Sequence, residues 1–174
     1  AFTGNIGTAQ GLGILPETAR LLKTENVKFI IVGDGRFLPE LERQIEKRRG
    51  RGKFILLPRV PASRIPEILS ACNAGFISFA QTPLWEMTIP AKLQSYMACG
   101  KAIIASASGE TKRIIQEAEC GICCEIGNAQ ALADGIRELI RADCQDMGRK
   151  ARKYFRENFD KKKLMDQMDR FIKG

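Results

Sequence analysis

Residues Glu86–Ser106 read E-M-T-I-P-A-K-L-Q-S-Y-M-A-C-G-K-A-I-I-A-S, and the order of residue types along them decides the fold class. Pro90 presets the backbone of a first helical turn, and helical spacing then runs to Cys99 before Gly100 ends it. Ala102–Ala105 follows at once as a strand that is apolar on both faces, the pattern of a parallel strand covered on both sides. Lys92 falls in the first turn of that helix, where free backbone N–H groups and the positive end of the helix dipole converge. Such a point is an anion site, and it predicts a phosphate-bearing ligand.

The pattern repeats outward from this stretch. Ala1–Thr3, Val27–Val32, Phe54–Leu57, Ala74–Phe79, Ala102–Ala105 and Gly121–Glu125 read as short strands. Leu12–Lys23, Phe37–Arg48, Ile65–Cys72, Pro90–Cys99 and Thr111–Glu117 read as helices between them. The expected fold is therefore α/β: a Rossmann-like, doubly wound parallel sheet of about six strands with additional C-terminal helices. In the C-terminal third, Leu132, Ile136, Leu139 and Ile140 share one helix face, and Leu164, Met165, Met168, Phe171 and Ile172 share another. The second stripe is expected to pack on the sheet, the alternative being a partner domain.

Ligands of such sheets bind at the carboxyl ends of the strands. Four loops are placed there: Gly4-Asn5-Ile6-Gly7, Gly33-Asp34-Gly35, Ala80–Ile89 and Ser106–Glu110. The first is neither a dinucleotide-binding G-x-G-x-x-G nor a P-loop, which argues against nicotinamide and nucleoside-triphosphatase chemistry.

Composition narrows the chemistry further. The chain has 174 residues, 44% of them hydrophobic and 28% charged, as expected of one globular domain with a full core. No apolar run approaches the ~18 residues of a membrane span, and no signal peptide is evident at the start. There is no histidine, which removes Ser-His-Asp, Cys-His and His-ligated metal schemes together. The six cysteines, including Cys120-x-x-Cys123 and the adjoining Cys124, are expected as buried reduced thiols. The net charge of +8 concentrates in Lys47–Lys53 and Arg149–Lys163, read either as solvated faces or as contacts to anionic lipid or polyanions.

The run IPAKLQSYMACGKAIIAS, then Gly109-Glu110, EAECGICC and ALADGIRELI, resembles the retaining glycosyltransferases of the group 1, family 4 kind. FIIVGDG and the GNIGTAQGL opening resemble them too, so the likeness spans nearly all of the chain. It implies the C-terminal, nucleotide-sugar-binding half of a two-domain GT-B fold, with residues 1–174 as the donor domain and an acceptor domain upstream. It further implies metal-independent transfer from a nucleotide diphosphate-sugar, such as a UDP-sugar, with retention at the anomeric carbon, in cell-surface polysaccharide or glycoconjugate synthesis. No cofactor is expected, since the nucleotide-sugar is a substrate. The isolated domain is expected to bind donor and transfer little.

By that resemblance Lys92 and Glu86 carry catalysis, with Lys92 and the helix start at Ile89, Pro90 and Leu93 on the diphosphate. Gly33, Asp34, Gly35 and Arg59 would hold the nucleobase, and Glu86 to Thr88 the sugar. Gly4, Asn5, Ile6, Gly7 and Gln10 complete the donor site, with Glu110 as a sugar-hydroxyl contact. The departures are specific: Asn5 and Gln10 stand where many relatives have an arginine and a lysine. Ser95 stands where relatives place a ribose-binding glutamate, and Met87, beside Glu86, where they place the other. A donor protein of this kind is expected in the cytoplasm, with the basic clusters as a peripheral contact to anionic membrane and a lipid-linked or sugar acceptor held by the other domain. The competing reading is a non-catalytic basic module for nucleic acid, weakened by one tryptophan and two tyrosines as stacking platforms.

Overall fold

The computed structural model describes residues 1–82 and 87–173. Among these residues six strands form in sequence order: β1 (Phe2–Asn5), β2 (Phe29–Asp34), β3 (Phe54–Leu57), β4 (Ala74–Ser78), β5 (Ala102–Ser106) and β6 (Gly121–Cys124). All pairings are parallel, in two three-stranded halves, β1-β2-β3 and β4-β5-β6. The halves meet at Ala1, whose N–H donates to Ala74 O (2.7 Å) while its carbonyl accepts from Phe76 N–H (2.6 Å). Spatial order is thus 3-2-1-4-5-6, and the direction of winding reverses between β1 and β4.

Strand alternation sorts the core into two layers. Phe76 and Ile104 face the helices α1 (Leu15–Leu21), α2 (Leu38–Lys47) and α6 (Ala129–Arg141), with Leu15, Leu41 and Leu132 buried among them. Their strand neighbours Ile77 and Ile103 face the opposite layer, built from α3 (Ile65–Ser70), α4 (Ala91–Ala98), α5 (Gly109–Glu117) and α7 (Cys144–Asn158). The expected covered parallel sheet is what forms.

Three local expectations are corrected. The helix read over Leu12–Lys23 begins as two 3₁₀ turns, Thr8–Gln10 and Leu12–Ile14, and becomes α-helical only over Leu15–Leu21. Gly11 separates the turns in a left-handed conformation, pressed so closely on β4's end that a Cβ would lie 2.6 Å from Phe79 O. β1 and β2 run further than expected, through Asn5 and Asp34, because Gly4 pairs Gly33 and neither glycine has a side chain to block the ladder. Finally, the Leu164–Ile172 stripe does not pack on the sheet. It lies on α8 (Lys161–Lys173), where Leu164, Met165, Met168, Phe171 and Ile172 are all exposed. Ile140 likewise turns outward while Leu132, Ile136 and Leu139 are buried.

Candidate functional site

The carboxyl ends of β1 and β2, the loop after β3 and the inner face of α4 enclose a cleft of about 770 Å³. Its floor is backbone. Gly33 adopts φ +152°, and a Cβ there would stand 1.9 Å from Gly4 O, so no residue but glycine lets these strand ends lie so close. Asp34 Oδ1 accepts from Gly35 N–H (2.7 Å), closing the turn that leads into α2. Gly4, Asn5, Gly33, Asp34 and Gly35 all line this floor.

One wall is α4. Pro90 is its N-cap in extended conformation, and Leu93 N–H closes the first turn onto Pro90 O (2.9 Å). The N–H groups of Ala91 and Lys92 are left without intrahelical acceptors at that end. Lys92 does not extend into solvent. Its Cε and Nζ lie 3.2 and 3.4 Å from the position a Cβ on Gly4 would take, and Nζ sits 4.7 Å above the centre of the Phe2 ring. Burial pushes its pKa down from the ordinary lysine value, and it has no ion-pair partner among the described residues. Ser95, one turn later, donates its hydroxyl to Ala91 O (2.9 Å) and faces the same cleft beside Ala98 and Cys99. Opposite, the loop after β3 brings Arg59, exposed and without an ion-pair partner among the described residues, next to Val60, Ile65 and Pro66. The cleft is an apolar slot with a cation at each side and one carboxylate, Asp34, on its floor.

The remaining expected residues fall elsewhere. Ile6 and Leu93 are buried core residues, so their side chains do not reach the cleft. Gln10 folds back to accept from Gly7 N–H (3.1 Å), and its own carbonyl accepts from Ser78 Oγ, which makes the Gly7–Gln10 segment a structural turn on β4's end. Thr88, Ile89 and Pro90 lead into α4 from outside the cleft's lining, with Thr88 O accepting from Thr111 Oγ1 (3.2 Å). Glu110 lies in the first turn of α5, bound to Arg113, which holds its carboxyl below the usual range. Glu86 lies outside the described residues. Sequence reasoning passed over Val60, Ile65, Pro66, Ala91, Ala98 and Cys99. For α4 a signal existed, since positions 91, 95 and 98 repeat small residues on one helix face.

Outside the cleft, the basic clusters are paired only in part. Arg48 pairs Glu17, Arg51 pairs Glu46, and Lys150 bridges Asp146 and Glu119. Burial pushes Cys120 and Cys123 up to about 12 and Cys124 to about 11, the behaviour of inert core thiols.

A family model described as "Glycosyl transferases group 1" matches residues 1–162. The chain belongs to the group 1 glycosyl transferases. Among curated relatives, this group 1 domain is 27% identical over 177 residues to an Escherichia coli (strain K12) protein named "Putative colanic acid biosynthesis glycosyl transferase WcaI", covering 99% of this chain and 42% of that one. It is 22% identical over 153 residues to N-acetyl-alpha-D-glucosaminyl L-malate synthase of Bacillus anthracis, covering 87% and 38%. The chain therefore spans about two-fifths of the length of these relatives. Among solved structures, Anabaena Alr3699/HepE in complex with UDP superposes with a TM-score of 0.84 at 20% identity, over 99% of this chain and 48% of that one. The C-terminal domain of a group 1 family protein (LpcC) from Francisella tularensis superposes with a TM-score of 0.71 at 19% identity, over 91% and 85%. The fold is one Rossmann-like half of a GT-B glycosyltransferase.

Proposed function

We propose that this chain is the C-terminal, donor-binding half of a two-domain glycosyltransferase that uses a nucleotide diphosphate-sugar, with UDP as the nucleotide. The reading extends to retention at the anomeric carbon, independence of a metal ion, and a role in cell-surface polysaccharide or glycoconjugate synthesis with the acceptor on the other domain. Glutamate roles for residue 86 and a peripheral lipid contact belong to the same proposal.

The observation that carries it is the pairing of Lys92 with the free N–H groups at the start of α4, directly above the Gly4–Gly33 floor. A departing diphosphate needs its growing charge met by fixed donors, and a helix start with a lysine in its first turn supplies them without reorganisation. The base and ribose would then lie along the slot between α4 and Val60–Pro66, toward Arg59. The sugar would extend from the diphosphate toward the segment before α4. With Asn5 and Gln10 uncharged, Lys92 carries the cationic contribution on the β1 side of the cleft.

Titration of the folded chain with UDP, a UDP-N-acetylhexosamine and uridine, followed by amide chemical shifts and by thermal shift, tests the reading. Shifts concentrated at Gly4, Gly33, Asp34 and the start of α4 are expected for UDP, with chelator present throughout. No response of the folded domain at millimolar UDP would overturn it.

A further inference from the structure

The ladder between β1 and β4 stops after a single bridge at Ala1. The next β1 donor, Thr3 N–H, bonds to no strand. It donates to Tyr96 Oη on α4 (3.0 Å), and Thr3 Oγ1 stands 3.3 Å from the same oxygen. Tyr96 is fully buried, and Gly75 on β4 makes the room for it: a Cβ on Gly75 would lie 2.3 Å from the tyrosine ring. A helix side chain has been wedged in where strand pairing would otherwise continue.

That same helix contacts the same strand once more, one turn earlier. Lys92 lies over Phe2 and Gly4, the residues on either side of Thr3, and Lys92 and Tyr96 are i, i+4 neighbours on one face of α4. Three consecutive β1 residues thus take contacts from two α4 side chains. Core packing alone would be met by phenylalanine, because a buried hydroxyl costs free energy unless it is hydrogen-bonded. Here the hydroxyl's partners are both atoms of Thr3. Burial pushes the phenol up to about 12, so it keeps its proton at ordinary pH.

We propose that Tyr96 is a positioning residue of the donor site: its hydroxyl, bonded to Thr3, fixes α4 on β1 and so sets where Lys92 stands above Gly4 and Asn5. The ligand-binding side of the proposal rests on the donor reading above. The placement of Lys92 does not.

The experiment is a double-mutant cycle of Tyr96→Phe and Lys92→Met, with UDP affinity measured by calorimetry well below each variant's unfolding temperature. Tyr96→Phe is expected to weaken UDP by about fivefold in the wild-type background and by less than about twofold when Lys92 is already methionine, the non-additivity of residues acting through one another. An equal loss in both backgrounds, or no loss in a folded Tyr96→Phe, overturns the proposal. A ligand-free readout separates this from the donor reading. The Lys92 ε-methylene is bonded to the Nζ that stands 4.7 Å over the Phe2 ring centre, so it should carry a ring-current shift that Tyr96→Phe changes. If wild type fails to bind UDP, the donor reading fails, and an unchanged Lys92 shift in Tyr96→Phe sinks this proposal as well. Should Tyr96→Phe not fold, Thr3→Val removes the hydroxyl's side-chain partner and is judged by the same readouts.

Discussion

Replacing Lys92 by methionine removes the charge at the centre of the proposed site while keeping an unbranched apolar stem one atom shorter. A phosphate oxygen about 4 Å from the ammonium would interact with it by roughly 4 kcal/mol at an effective dielectric of ~20. The cleft is open to water, so the expected loss is nearer the 2–3 kcal/mol of a charged hydrogen bond, about 25- to 150-fold in affinity. Stability should respond differently. The cation over Phe2 is worth about 0.5–1 kcal/mol, against which stands the cost of half-burying an unpaired ammonium. The two nearly cancel, so Tm should move by less than about 4 °C. Calorimetry with UDP and with uridine decides the matter, because uridine has no phosphate for Lys92 to meet. Equal losses for both ligands, or UDP affinity within about threefold of wild type, would refute the assignment of Lys92 to the diphosphate. The pH dependence carries a sign of its own. Lys92 holds its proton below its depressed pKa, and UDP affinity is full there. It declines as pH rises through that value, earlier than for an ordinary lysine, while Lys92→Met shows no such decline. Between that value and the ordinary lysine pKa the unfolded chain binds the proton and the fold does not. Lys92's contribution to stability therefore rises with pH there.

Further outcomes follow from other parts of the fold. Gly33→Ala places a methyl group 1.9 Å from Gly4 O at φ +152°, and should destabilise by at least about 3 kcal/mol, lowering Tm by about 6 °C or more in thermal denaturation. Cys120, Cys123 and Cys124, with thiols raised well above their ordinary value by burial, should resist iodoacetamide in the native protein at mildly alkaline pH and react after guanidinium denaturation, as read by mass spectrometry. Gly148→Ala would set a methyl 2.1 Å from Gly100 O where α7 crosses the end of α4, and should cost several degrees of Tm. Rapid native labelling of all three thiols, or unshifted melting in either glycine variant, would show the packing to be looser than described.

Much of this architecture was legible in residue order. Alternation of short apolar runs with helical spacing placed β3 at Phe54–Leu57 to the residue and β5 within one residue of its end. Gly4, Gly33, Asp34 and Lys92, named from the loop and helix-start pattern, and Arg59 and Ser95, named from the family resemblance, line one cleft, since every parallel strand delivers its carboxyl end to the same edge. Residue order says less where a residue's surroundings come from far along the chain. Gln10, expected among the ligand contacts, has its Oε1 turned back to Gly7 N–H, while its backbone carbonyl accepts from Ser78 Oγ, sixty-eight residues away. The Leu164–Ile172 stripe has the periodicity of a core helix, and periodicity says only that one face is apolar, not what covers it.

Glu86–Ser106 shows the division most clearly. Local chemistry alone fixed a helix after Pro90, its stop at Gly100, the strand beyond it and a cation in the first turn, since each depends on residues no more than a turn apart. Only the tertiary structure decided that Lys92 folds inward onto Gly4, that Ser95 faces the cleft, and that Tyr96 replaces a strand as the partner of Thr3. Those outcomes depend on β1, some ninety residues earlier, and on the absent side chain of Gly75, which no reading of α4 by itself contains.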